Sequence, residues 1–229
     1  NIMAIINKHS TKKVISDNEN SYLFNYLDSL GLDLEMNNDF QGLKNLLKSK
    51  EDYPYDFDSC FEPSTFSDIS SGFVLYVKDG DRVVATYSAR RQDPETMKLG
   101  LSKYYSDVKY EELPVNLRPT NLKYMYSSCQ WVDSEYLGKR IGVTLDLIKK
   151  HIIFDRYNCD VNYAIHKVND SMITYHKSKL FYSDSKYFFS KPDGNVGGAG
   201  GSKDVDYNLA WIYKNAFINK LSEIKITYP

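Results

Sequence analysis

Cysteine is scarce in this chain of 229 residues, and what there is forms no pattern. Cys60, Cys129 and Cys159 are odd in number and far apart, with no CxxC pair and no Cys/His cluster, so neither a disulfide framework nor a zinc site organises the fold. A reducing, cytoplasmic setting and no metal are expected. No apolar run approaches the ~18 residues that cross a bilayer, and the N-terminus lacks the charged flank and apolar core of a signal peptide. A soluble chain with no membrane partner follows. An excess of charge of one sign is also missing: 29 Lys and Arg stand against 30 Asp and Glu. No global field therefore draws the chain to nucleic acid, although a local basic patch is not excluded.

What remains is ordinary core-forming material, with 42% hydrophobic and 26% charged residues, which sets aside disordered and collagen-like chains. The length suits one well-buried core, so residues 1–229 read as a single domain. Asn1 and Ile2, ahead of Met3, read as vector remnants and are left out of fold reasoning. Tyrosine is the residue in excess, at 20 copies. With the Lys, Asn and Ile bias, it hints at an AT-rich bacterial or viral genome.

Hydrophobic spacing gives the elements. After a strand-like opening near Lys13–Ile15, apolar residues at 23, 26, 27 and 30 predict a helix that stops at Gly31. A second helix is expected from about Phe40 to Lys48, then a polar loop over 51–71. Two β-rich runs in 72–90, joined at Asp79-Gly80, predict an antiparallel hairpin. Residues 91–121 read as a polar insertion between strands, and LKYMYSSCQWV after it as a strand. Ile141, Leu145, Ile148 and Ile152 mark a helical stripe, CDVNYAIHK a strand, and 170–179 a short helix. Strands around 181–189 and 205–213 flank the run GNVGGAGG at 194–201, which reads as a loop because no helix pattern follows it. The order predicts a mixed α/β (α+β) domain whose strands are not all parallel.

One stretch carries chemistry. In WVDSEYLGKRIGVTL a strand end and a turn with Gly138 and Gly142 lead directly into a helix. Unpaired amides at a helix start face whatever sits there, and the helix dipole adds about 0.3 to 1 kcal/mol for an anion. Lys139 and Arg140 add positive charge. Taken alone, two glycines before a helix are more often a plain connector.

Context separates the two readings. Residues 72–181 resemble the GNAT superfamily of acyl-coenzyme A-dependent N-acyltransferases. In that family a turn of the form Pro-x-Tyr-Arg-Gly-x-Gly-Ile-Gly, between the fourth strand and the third helix, grips the coenzyme pyrophosphate. Here the corresponding residues are Ser134, Glu135, Tyr136, Leu137, Gly138, Lys139, Arg140, Ile141 and Gly142. Leu137 stands in place of the usual Arg or Gln, and Arg140 in place of the middle Gly. Downstream, VNDSMITYHKSKLF is similar to the family's Asn-x-x-Ala-x-x-x-Tyr-x-x-x-Gly-Phe segment, with Asn169 and Phe181 in register, His176 in the Tyr position, and Tyr175 beside it.

The resemblance implies a mostly antiparallel sheet flanked by helices, with acetyl-CoA as donor and a primary amine as acceptor. It assigns coenzyme contacts to the strand residues Cys129, Trp131 and Val132, to the turn and helix start at Leu137, Gly138, Lys139, Arg140, Ile141, Gly142 and Val143, and to Asn169. It places the acid for the leaving thiolate at Tyr175 or His176. Cys129 has no His partner in sequence and reads as a small core thiol. Deprotonating a lysine-type acceptor at pH 7 costs roughly 4 to 5 kcal/mol, against about 1 for an α-amine. Many family members put a Glu on the fourth strand for this, but Lys123–Val132 has no carboxylate. The base is then a water chain past Tyr124, Tyr126 or Ser128, or Glu111 or Glu112 in the insertion. Two other readings stay open: a GNAT-fold coenzyme or nucleotide-binding module without chemistry, and a nucleic-acid- or nucleotide-modifying acyltransferase whose tyrosines stack bases.

Overall fold

Helix α1 (Ser21–Ser29) begins the part of the chain that the computed structural model describes, which is residues 19–37, 72–96, 109–110, 121–167, 183–191 and 205–229. Its buried residues Leu23, Phe24 and Leu27 share one face. It ends because Gly31 takes φ +70°, letting the Gly31 and Leu32 amides bond back to the carbonyls of Asp28 and Leu27, a Schellman stop.

Among the described residues, eight strands form one sheet: β1 (Asp33–Asn37), β2 (Gly72–Asp79), β3 (Arg82–Arg91), β4 (Lys109–Tyr110), β5 (Tyr124–Val132), β6 (Val161–Lys167), β7 (Ser183–Lys191) and β8 (Val205–Tyr213). Their order is β1-β2-β3-β5-β6-β8-β7-β4, antiparallel at every junction except β5–β6. The hairpin expected at Asp79-Gly80 is β2–β3, and Gly80 supplies the positive φ its two-residue turn needs. The mixed sheet read from the element order is therefore present.

Helix α2 (Ile141–His151), a π turn at Ile152–Arg156 and helix α3 (Lys214–Lys225) share a core with α1 on one sheet face. That face offers Phe73, Leu75, Val77, Ala85, Tyr87, Ala89 and Met125, the alternate residues of β2, β3 and β5. Strand β1 and helix α3 were not expected. Phe217, Leu221 and Ile224 carry the helical spacing of α3, and Phe217 and Ile224 are buried. His151 packs its ring on Phe217 with centroids 5.1 Å apart and sets Nδ1 3.3 Å from Asp155 Oδ2, so it is a core residue. The expected elements at 13–15, 40–48 and 170–179 and the loop at 194–201 lie outside the described residues. No helix among the described residues is long and apolar enough to cross a membrane.

Candidate functional site

The parallel junction is what makes a site. Strands β5 and β6 pair from Tyr124/Val161 to Ser127/Ala164, and there the register ends. Strand β6 continues along β8, while β5 continues along β3 to the pair Ala85/Val132. The two strands thus part, and Ser128–Val132 runs beside the opening. A bulge between Thr86 and Ser88 puts one extra β5 residue opposite Tyr87, which increases the local twist at the same place.

At the end of β5 the chain enters the turn. Asp133 takes the Glu135 amide on its side chain at 3.1 Å and starts a single 3-10 turn at Ser134–Tyr136. The hairpin tip holds this turn from below. Arg82 reaches Asp133 at 2.7 Å and Glu135 at 2.6 Å, and the Tyr136 hydroxyl donates to Asp79 at 2.5 Å. That hydrogen bond to a carboxylate is the main cause of the raised Tyr136 pKa. Lys139 lies over the Tyr136 ring at 4.9 Å, and its carbonyl accepts from the Tyr26 hydroxyl at 2.8 Å.

Gly138 has φ +79° and Arg140 φ +58°, and the second of these is a left-handed conformation at a residue with a side chain. Arg140 is the N-cap of α2 and offers no side-chain cap, and the first intrahelical bond runs from the Thr144 amide to its carbonyl. Among the described residues, no acceptor takes the amides of 138–143. That is the donor array expected of an anion site. Ile141 and Val143 serve it by backbone only, since Ile141 is in the core and Val143 packs against it. Gly142 is needed for a packing reason: a Cβ there would stand 3.2 Å from Val132 Cγ2.

One expected contribution differs. The Arg140 guanidinium does not face the open amides. It donates to the Thr227 carbonyl at 2.5 Å and to Thr227 Oγ1 at 3.0 Å, and stacks on Tyr228 at 4.2 Å. Tyr228 in turn meets Thr144 Oγ1 at 2.8 Å and the rings of Tyr22 and Tyr26. Arg140 therefore shapes the turn and fastens it to the C-terminal segment, which leaves Lys139 as the exposed cation of the turn. Arg140→Gly is expected to lower stability by about 1 kcal/mol, because the two guanidinium bonds outweigh the ~1 to 2 kcal/mol of left-handed strain that glycine relieves. Equilibrium urea denaturation reads this, and a more stable variant would mean that the C-terminal fastening contributes little.

Trp131 is buried, Leu137 is exposed, and Val132 lies against the start of α2. The Cys129 side chain, Asn169, Tyr175, His176, Glu111 and Glu112 lie outside what the structure describes. Cys159 is a buried free thiol whose pKa burial pushes up to about 11, which keeps it protonated. Among the described residues, no group of three or more His, Cys, Asp or Glu side chains is arranged to hold a metal ion.

No protein-family model and no curated protein matches the chain. Solved structures do. Arabidopsis thaliana NAA60 in complex with acetyl-CoA is similar over 80% of this chain and 99% of its own, at 10% identity and a TM-score of 0.53. The same protein with a bisubstrate analogue gives 79% and 99% coverage, 9% identity and 0.51. An uncharacterised protein from Bacillus halodurans covers 85% and 91%, at 13% identity and 0.50. The chain has the fold of the GNAT superfamily of acetyltransferases.

Proposed function

We propose that the protein is an acyl-coenzyme A-dependent N-acyltransferase that moves acetyl from acetyl-CoA to a primary amine by direct attack, in one domain over residues 1–229. The observation that carries this reading is the parting of β5 and β6 beside the open amides of 138–143. A pyrophosphate on those amides directs an extended arm along Ser128–Val132, where a strand edge can receive it through main-chain bonds. At about 3.3 Å per residue, the four steps from Val132 to Ser128 span about 13 Å. The bound acetyl-CoA of the Arabidopsis structure supports acetyl as the group carried. Asn169 would hold the arm.

In the reaction the amine nitrogen attacks the thioester carbonyl, the C–N bond forms and the C–S bond breaks. The nitrogen gives up a proton and the departing thiolate receives one. Tyr175 or His176 is the proposed acid. For the base, β5 and β3 offer hydroxyls: Ser128 Oγ and Ser88 Oγ lie 2.9 Å apart on one face of the sheet. Tyr126 is a poor base, because burial raises its pKa and keeps it a phenol. The proposed setting is the reducing cytoplasm, where the buried Cys159 thiol persists.

Release of free thiol from acetyl-CoA, followed across a panel of amines, tests the reading. Release above the hydrolysis background is expected, and its absence with every amine leaves a binding module. The pH profile assigns the acid, since His near 6.5 loses its proton above neutrality whereas Tyr near 10 keeps it. A plateau to pH 9 assigns Tyr175 and an early decline His176. Parental turnover in both Tyr175→Phe and His176→Gln would exclude the pair.

A further inference from the structure

Resting on the acyl-transfer reading, we infer that Arg90 is an anchor for an anionic group on the acceptor, so that the amine carries a carboxylate or phosphate. The two faces of the sheet differ in character. The face under α2 is apolar, and Lys149 of α2 lies over Tyr87 there. The opposite face carries Ser88 and Arg90 from β3 and Tyr126 and Ser128 from β5, because alternate residues of a strand share a face. Ser88 bonds Ser128 across the strands, and Arg90 pairs in register with Tyr126. Arg90 is thus one step, about 6.6 Å, beyond Ser128 and on the side away from the pyrophosphate turn. That is where an amine attacking a thioester near Ser128 keeps the rest of its structure.

The state of the guanidinium makes this position informative. Its Nε donates to Gln92 Oε1 at 2.9 Å, and its plane lies over Tyr126 with Cζ 5.1 Å from the ring centroid. Gln92 is itself held, since its carbonyl accepts from the Tyr163 hydroxyl at 2.8 Å. The half-buried fork is therefore fixed in direction while Nη1 and Nη2 have no acceptor among the described residues. Arg82, Lys149 and Lys150 each rest on a carboxylate instead. A stacked, preoriented guanidinium whose two parallel donors take no acceptor among the described residues matches a bidentate carboxylate or phosphate.

The test uses amines matched in size: 4-aminobutyrate and O-phosphoethanolamine as anions, 4-aminobutanamide and ethanolamine as neutral partners, and putrescine as a cation. For the parent protein, kcat/KM is expected to be higher for each anion than for its neutral partner, and lowest for putrescine. The better of the two anions identifies carboxylate or phosphate. Arg90→Gln should lower the anion-to-neutral ratio at least tenfold, and Arg90→Lys, which keeps charge without the fork, should lower it less. An unchanged ratio in Arg90→Gln, or a parental preference for putrescine, overturns the inference. Melting curves with coenzyme A plus each amine run in parallel. If no amine is turned over, an anion-specific rise in melting temperature that Arg90→Gln abolishes still supports the anchor, and no such rise overturns it. Failure of acetyl-CoA to raise the melting temperature of either protein would instead remove the donor reading.

Discussion

Gly142→Glu is expected to weaken acetyl-CoA binding by at least about 100-fold, or ~2.8 kcal/mol. A Cβ at this position already meets Val132 Cγ2 at 3.2 Å and Gln130 Nε2 at 3.5 Å, so a longer side chain has to leave the helix–strand contact and turn toward the open amides. It brings a negative charge beside the open amides on which the coenzyme pyrophosphate is proposed to sit. Gly142→Ala is the companion, since it introduces the tight Val132 contact without charge and should lose less than tenfold. Titration calorimetry measures both, and a cooperative melting transition without ligand shows that the fold persists. Parental affinity in Gly142→Glu would reduce the turn to a connector.

The second large effect lies in the core. Asp146, Lys149 and Lys150 on α2 are fully buried, and Asp146 bonds both ammonium groups, to Lys149 at 2.6 Å. Asp146→Ala leaves two buried cations without this carboxylate and is expected to cost about 3 to 5 kcal/mol. Lys149→Met leaves the oppositely charged Asp146 and Lys150 together and keeps the volume over Tyr87, so it should be neutral or stabilising at pH 7. Burial lowers Lys149 to about 7 from 10.5, and lowers Lys150 as well. Between those two values the unfolded chain binds a proton that the folded chain has released, so stability rises with pH, by up to about 1.4 kcal/mol per unit for one group. Below 7 both states hold the proton, so the slope falls to zero while the full cost of the buried charge persists. Urea denaturation at pH 7, 8 and 9 should show the rise in the parent and a shallower one in Lys149→Met. A flat parental profile, or an Asp146→Ala loss under 1 kcal/mol, would contradict this account.

The sequence made the hairpin and the turn legible because each rests on local rules: Gly80 and Gly138 take the positive φ their turns need, and Ile141, Leu145 and Ile148 face the core. The opening between β5 and β6 was not legible by spacing, since it depends on which strands neighbour each other. The resemblance assigned coenzyme contacts to Cys129, Trp131 and Val132 on one strand and did not give the opening beside it. Arg140 shows the same limit. Its charge is visible in sequence, but its direction is set by Thr227 and Tyr228, 87 residues or more away. Strand β1 is five residues long and polar at Asp33, Glu35 and Asn37, so neither length nor propensity marks it. Its Glu35 is held by the Tyr76 hydroxyl and by Lys78 at 3.6 Å.

Amide hydrogen exchange, measured with and without saturating acetyl-CoA, tests the central claim most directly. If the coenzyme sits on the turn and along the strand edge, protection should increase at the amides of 138–143 and within 128–132. The distant β1–β2 pairing should change little. Unchanged exchange at 138–143 in the presence of bound acetyl-CoA would contradict the account.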